Sequence, residues 1–223
     1  HLLEPKADMS TYKVTGSIFP DLVVDGITEI EMKKGDDVLT LVRDSGNWTI
    51  AQQFGYKADM TKVEALLNAL RRYNDADIHS DKPEVHKEFS VTEDTGVSVN
   101  ISSGKKVVAS FIAGKTGFTP SLGYIRKTGD NRVLEVYGNT ANLFTARASN
   151  WLNTQLFTAK ADDIKTLKIK NINETIELKR DESNWSFAGE STTQPDSRFV
   201  NQMVYYLTTL KFNNVVQDRK SVV

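Results

Sequence analysis

The run Ala109-Ser110-Phe111-Ile112-Ala113-Gly114-Lys115-Thr116 carries the outline of a phosphate-binding loop, A/G-x-x-x-x-G-K-S/T. Such a loop needs glycine-rich backbone amides curled round the anion and a helix that starts directly behind them. Here the intervening residues are strand formers, the first position is Ala, and Gly117 and Pro120 follow before another strand-like run. The expectation is a strand end and a turn, with no nucleotide bound. His79 and His86 lie near Asp81, Glu84 and Glu88, which are metal-ligand types. Their spacing fits no zinc pattern, and imidazoles and carboxylates are ordinary in a polar connector. No G-x-S-x-G elbow occurs, and none of the 29 acidic residues stands out as half of an acid–base pair. No catalytic, cofactor-binding or metal-ligating residue is therefore assigned. Tyr124, Arg126, Lys127, Arg132 and Tyr137 put aromatic and basic groups on neighbouring strand-like runs. They are the candidate face for a polyanion or sugar polymer, against the plainer reading of a half-exposed sheet face.

Composition narrows the classes. The 223 residues carry a formal net charge of −1 with interspersed signs, so no basic excess exists to displace phosphate counterions from a nucleic acid. With no cysteine, disulfides, thiolate catalysis and cysteine-held metals are excluded. No apolar run approaches the ~20 residues that span a bilayer. The chain starts at His1 and not at Met, and is read as a mature or partial form, which leaves room for a signal or anchor upstream. Asn-x-Ser/Thr sequons begin at Asn47, Asn100, Asn173 and Asn184, and are read as turn chemistry followed by strand chemistry.

The elements that must position all of this occur twice. Residues 27–74 align without a gap on residues 164–211 at a shift of 137, the separation of Trp48 and Trp185. Eleven positions are identical, among them Arg43/Arg180, Asp44/Asp181, Asn47/Asn184, Trp48/Trp185, Asp59/Asp196, Val63/Val200 and Leu70/Leu207. An ungapped match that keeps its apolar spacing marks a duplicated structural unit. In the first copy Ile30 and Met32, then Val38–Arg43, then Trp48–Ile50 read as three strands of a meander, with Asp44-Ser45-Gly46-Asn47 as a turn. Asp59 is placed to cap a helix whose stripe is Val63, Leu66, Leu67, Leu70 and Tyr73. Asp196 and Val200, Met203, Val204, Leu207 and Leu210 repeat the arrangement. Each copy reads β-β-β-α.

Between them, a polar connector holding His79, Pro83 and His86 leads to strand-like runs near 97–101, 106–112, 122–126 and 132–137. A helix is expected from about Thr140, with Leu143, Phe144, Ala148, Trp151 and Leu152 on one side. The first copy is followed by residues 75–150 and the second by only 12 residues. Either the duplication was partial or the chain is cut short.

The order of these pieces resembles a bacterial family of unknown function, DUF4340. The resemblance rests on Phe19-Pro20-Asp21-Leu22 running into Ile27–Ile30, Arg43-Asp44 before Asn47-Trp48, and Lys57-Ala58-Asp59 before the Val63–Leu70 stripe. Phe111–Lys115 with Tyr124-Ile125-Arg126, and Trp151-Leu152 before Asp163-Ile164, complete it over roughly residues 17–211. The resemblance implies an N-terminal membrane anchor, a place outside the cytoplasmic membrane, and an accessory role beside ABC-transporter components of the gliding-motility type. It supplies no catalytic residues.

The fold expected is α+β: antiparallel β-meanders with packed helices and two β-β-β-α repeats. The domain division expected is a poorly ordered tail over 1–16, the first repeat with the central meander and helix over 17–150, and the second repeat over 151–223. The function expected is a non-enzymatic extracytoplasmic accessory or scaffold domain that docks to a membrane partner, an ABC transport complex. A binding module for an envelope polysaccharide or peptidoglycan is the alternative, and a hydrolase with a cleft between the repeats comes third.

Overall fold

A computed structural model describes residues 12–14, 16–74, 76–189, 191–213 and 215–216, and most of the tail expected over 1–16 lies outside them. Within that tail, Tyr12–Lys13 form a short strand, β1, paired with Asp77 and Ile78. The fold is α+β, with antiparallel sheets and few helices. The chain divides into two compact units, one running to Asn153 and one spanning Thr154–Asn214.

The first unit begins with β2 (Glu29–Lys34), β3 (Asp37–Asp44) and β4 (Asn47–Ile50). Period-two alternation sends Ile30, Met32, Leu39, Leu41, Trp48 and Ile50 to one buried face. Ser45 and Gly46 both take positive φ, 50° and 86°, between the paired residues Asp44 and Asn47. This is the two-residue turn whose twist matches the flanking strands. A short strand, β5 (Tyr56–Lys57), precedes α1 (Met60–Leu70). The Asp59 carboxylate accepts from the Thr61 amide at 3.0 Å and so satisfies one of the helix's orphan donors.

The expected polar connector begins with a strand, β6 (Ala76–Ser80). The central runs become β7 (Val97–Ser103), β8 (Lys106–Thr116), β9 (Leu122–Lys127) and β10 (Val133–Tyr137). The ten strands form one sheet in the order β1-β6-β10-β9-β8-β7-β2-β3-β4-β5. Phe111 of β8 is a hub of the main core, its ring 5.4 Å from Phe19, 6.2 Å from Tyr73 and 5.2 Å from Phe144. A second, smaller core gathers Phe89, Val91, Tyr124 and Val133.

The helix expected from Thr140 to Leu152 is a correction. Only α2 (Thr140–Leu143) is α-helical, Phe144 is extended at φ −115° and ψ 91°, and Ala148–Trp151 form a 3-10 turn. Thr140 is pinned by its hydroxyl, which donates to Gly114 O and Lys115 O. The extended stretch then lets Phe144, Ala146 and Trp151 all reach the core, which a single helical face does not allow.

The second unit contains β11 (Thr166–Lys170), β12 (Thr175–Asp181), β13 (Asn184–Phe187) and α3 (Ser197–Thr209). The three strands form their own antiparallel sheet. Its core is small: Leu178, Trp185, Val200 and Val204 are buried, with Leu167, Ile176 and Met203 half-covered against them. Asp196 caps α3 by accepting from the amides of Arg198 and Phe199.

Candidate interaction surface

The residues that suggested chemistry are taken up by packing. Gly114 and Lys115 lie inside β8, with no helix behind them. A Cβ on Gly114 would sit 2.2 Å from the Phe89 carbonyl, so glycine is there to let two backbones pass. The Lys115 ammonium stands over the Phe89 ring at 4.7 Å, and its amide donates to Phe89 O. His79 packs edge-on against Phe89 and Tyr124, while His86 is buried with Nε2 2.7 Å from Asn131 O. Both imidazoles therefore serve the smaller core and its covering loop, and among the described residues no three His, Asp or Glu side chains are gathered as a metal site.

The aromatic and basic set does not form one face. Tyr124 is buried, and desolvation, aided by the nearby Glu135 charge, pushes its hydroxyl above the ordinary range. Arg126 donates to Val91 O and Asp130 O. Arg132 clasps Asp130 and holds that carboxyl below its usual range. Lys127 lies on the opposite side over Phe19, and Tyr137 is covered by Arg72 at 3.4 Å. The row of exposed aromatics that a polymer would need is absent from these strands.

A cleft of about 410 Å³ in the first unit holds Lys34, Lys115, Arg147 and Asp37 among its lining residues. Arg147 faces Asp37 at 4.0 Å and the Lys115 ammonium stands over Phe89, so two of its three cations already meet groups of the unit. Tyr73, beside a second cleft, is buried with a hydroxyl that has no hydrogen-bond partner among the described residues. Burial pushes that hydroxyl far above its usual pKa.

The surface that stands out is on α3. Val200, Val204 and Thr208 turn to the sheet, while Phe199 is 66 % exposed, Tyr206 58 % and Leu210 44 %. With Met203 and Leu207 these side chains line an apolar groove of about 290 Å³. Leu156, also half-exposed, is tied beside it by its amide to Leu210 O at 3.1 Å. Contiguous apolar surface of this kind, kept in water at roughly 25 cal/mol per Å², is the physical signature of a contact site.

The same unit has an open strand edge. Among the described residues β11 pairs only with β12. Asn171 N to Glu174 O and Arg180 N to Lys165 O fix the alternation of that ladder. Leu167 and Ile169 therefore bond to β12, and the backbone groups of Thr166, Lys168 and Lys170 turn outward. Lysines on an exposed edge discourage indiscriminate pairing.

Reasoning from sequence missed this surface, although a signal was present. In the aligned copies Lys62, Asn68 and Ala69 are replaced by Phe199, Tyr205 and Tyr206. Three aromatics gained off the buried stripe of a helix are a surface feature, not a core one.

The model of one protein family, described as a domain of unknown function (DUF4340), matches residues 48–222. No curated protein and no solved structure matches the chain.

Proposed function

The chain belongs to the DUF4340 family, and from its surface we propose that it is a non-enzymatic accessory or scaffold domain that docks onto a protein partner. The observation that carries this reading is the apolar groove of α3, with Phe199, Tyr206 and Leu210 held in water beside Met203 and Leu207. Aromatics interleaved with Leu and Met fit the side chains of a protein better than the hydroxyl-rich faces of a sugar polymer. The partner we propose is at the membrane, an ABC transport complex, with the domain held outside the cytoplasm by an anchor elsewhere in the protein. No helix among the described residues is long and apolar enough to cross a membrane, so such an anchor is not one of them.

The scaffold we propose beneath this surface is a duplicated β-β-β-α unit, residues 27–74 and 164–211. The alignment at a constant shift supports it, as do Arg43 and Arg180, each paired across its hairpin with the unit's Trp.

Mild cross-linking of the full-length protein in its native cells, followed by identification of what is attached, tests the docking reading. Recovery of membrane transport subunits through α3 supports it. Attachment to envelope polymer, with no protein partner, overturns it in favour of a polymer-binding module.

A further inference from the structure

We propose that the cleft of about 410 Å³ in the first unit is a binding site for a small organic dianion, bearing a phosphate monoester or two neighbouring carboxylates on an apolar body. The site belongs to the first unit alone and does not depend on α3. The whole chain carries a net charge of −1. The cleft departs from that balance: Lys34, Lys115 and Arg147 line it against a single carboxylate, Asp37, for a formal charge of +2. Asp37 serves two of these cations at once, standing opposite Lys34 in the β2–β3 register and 4.0 Å from Arg147. The Arg147 and Asp37 side chains are 69 % and 57 % exposed, so theirs is a loose pair that an incoming anion can displace. The Lys115 ammonium rests on the face of Phe89 at 4.7 Å, which orients the charge without neutralising it.

The walls are already in place, as a binding cleft requires, and the volume lies within the roughly 300–1,000 Å³ of small-molecule sites. The Lys115 amide donates to Phe89 O at 3.1 Å, and the Thr140 hydroxyl donates to Gly114 O and Lys115 O at 3.0 and 2.9 Å. Two other segments are thereby tied to the end of β8. Gly96 and Gly114 let one of them lie close, since a Cβ would meet Ser90 O at 2.5 Å and Phe89 O at 2.2 Å. Ser90, which also lines the cleft, is held at φ 56°, a left-handed conformation that a serine rarely adopts. The extended stretch that replaces the expected helix after Leu143 carries Arg147 to the same place. Ala113, Phe144 and Ala146 add apolar lining for the body of the ligand. Lys115 thus supplies one ammonium of a side-chain anion site, and no backbone cradle of the nucleotide-loop kind forms around it.

The test titrates the full chain with phenyl phosphate and with phthalate, following the backbone amide shifts of Ser90, Lys115 and Arg147. Phenyl sulfate, similar in shape but singly charged, is the control. At least one dianion is expected to give saturable shifts at these residues with a Kd of about 1 mM or tighter, and phenyl sulfate to bind at least about fivefold more weakly. Whichever dianion binds better identifies the head group as phosphate or dicarboxylate. Lys34→Gln should weaken binding about threefold or more, whereas Asp37→Asn should tighten it by a similar factor, a gain that damage to the fold cannot imitate. Phenyl sulfate binding as tightly as the dianions, or affinity unchanged in either variant, would reduce these charges to an ordinary solvated surface and overturn the inference. The absence of saturable shifts at these residues up to about 20 mM of either dianion would overturn it equally.

Discussion

At Arg43 the guanidinium donates to Asp25 O at 2.8 Å, and at Arg180 it donates to Ala161 O at 2.9 Å. The Arg43 amide meets Thr28 O at 2.8 Å, and the Arg180 amide meets Lys165 O at 2.8 Å. Each arginine sits opposite its tryptophan, and both tryptophans are 2 % exposed. Each helix opens on an aspartate that caps its first turn. Around this corner residues 27–74 and 164–211 behave alike. At the other end of the helix they part: Leu70 is 2 % exposed and Leu207 39 %, Tyr73 is 1 % exposed and Leu210 44 %. The corner depends on contacts within each segment, whereas burial of the last helical turn depends on strands that follow. Identical local chemistry thus gives a finished core in one place and a surface in the other.

The largest expected effects come from the shared corner. Trp48→Ala should cost about 3–5 kcal/mol by denaturant unfolding, because the large ring is buried in a core that cannot collapse around the loss. Trp185→Ala also loses the Nε1 hydrogen bond to Asn201 Oδ1 at 2.8 Å, and should unfold the second unit while leaving the first with its own transition. A single cooperative transition lost in both variants would show that the units do not melt separately.

Position 70/207 sharpens the contrast. Leu70→Ala should cost about 2–5 kcal/mol as a core truncation. Leu207→Ala, at the identical aligned position, should change stability by less than about 0.5 kcal/mol. Equal losses at the two sites would mean that Leu207 is covered in solution, and that the groove is not free.

Acid separates the units in another way. The backbone amide and side chain of Arg198, with further help from the Phe199 amide, hold the Asp196 carboxyl below its usual range. A carboxyl depressed in the folded state stabilises fully above its unfolded pKa and loses that contribution as pH falls through the folded one. The α3 helix signal should therefore weaken below about pH 4. Asp196→Asn, which keeps a capping oxygen without the charge, should flatten that acid limb; an unchanged limb would assign it to another carboxylate of the second unit such as Glu177, held below its usual range by Lys168.

Much of the scaffold was legible because it is local. The alternation of Ile30 and Met32, the Ser45-Gly46 turn, and the Asp59 and Asp196 caps are set by residues a few positions apart. The break after Leu143 was not legible, because the segment is placed by partners distant in sequence: Thr140 is held by the carbonyls of Gly114 and Lys115, and Phe144, Ala146 and Trp151 are buried in a core built by other strands. The burial of Tyr124 was hidden for the same reason, since Phe89 and Val91 reach it from a segment read as a connector. The α3 groove is defined by missing long-range contacts, and the nearest trace of it in sequence is the gain of Phe199, Tyr205 and Tyr206.

A small effect of opposite sign is expected at position 73/210, where the two segments differ in chemistry as well as in burial. Tyr73 places its ring against Phe111 and leaves its hydroxyl buried without a partner among the described residues, whereas Leu210 has no hydroxyl to bury. An unsatisfied buried hydroxyl costs roughly 1–3 kcal/mol, while the ring supplies the packing. Tyr73→Phe keeps the ring and removes the cost, so the first unit should be unchanged or stabilised by up to about 1 kcal/mol in denaturant unfolding. A loss of stability would show that the hydroxyl is bonded, and that the first core is closed by a polar contact as well as by Phe111.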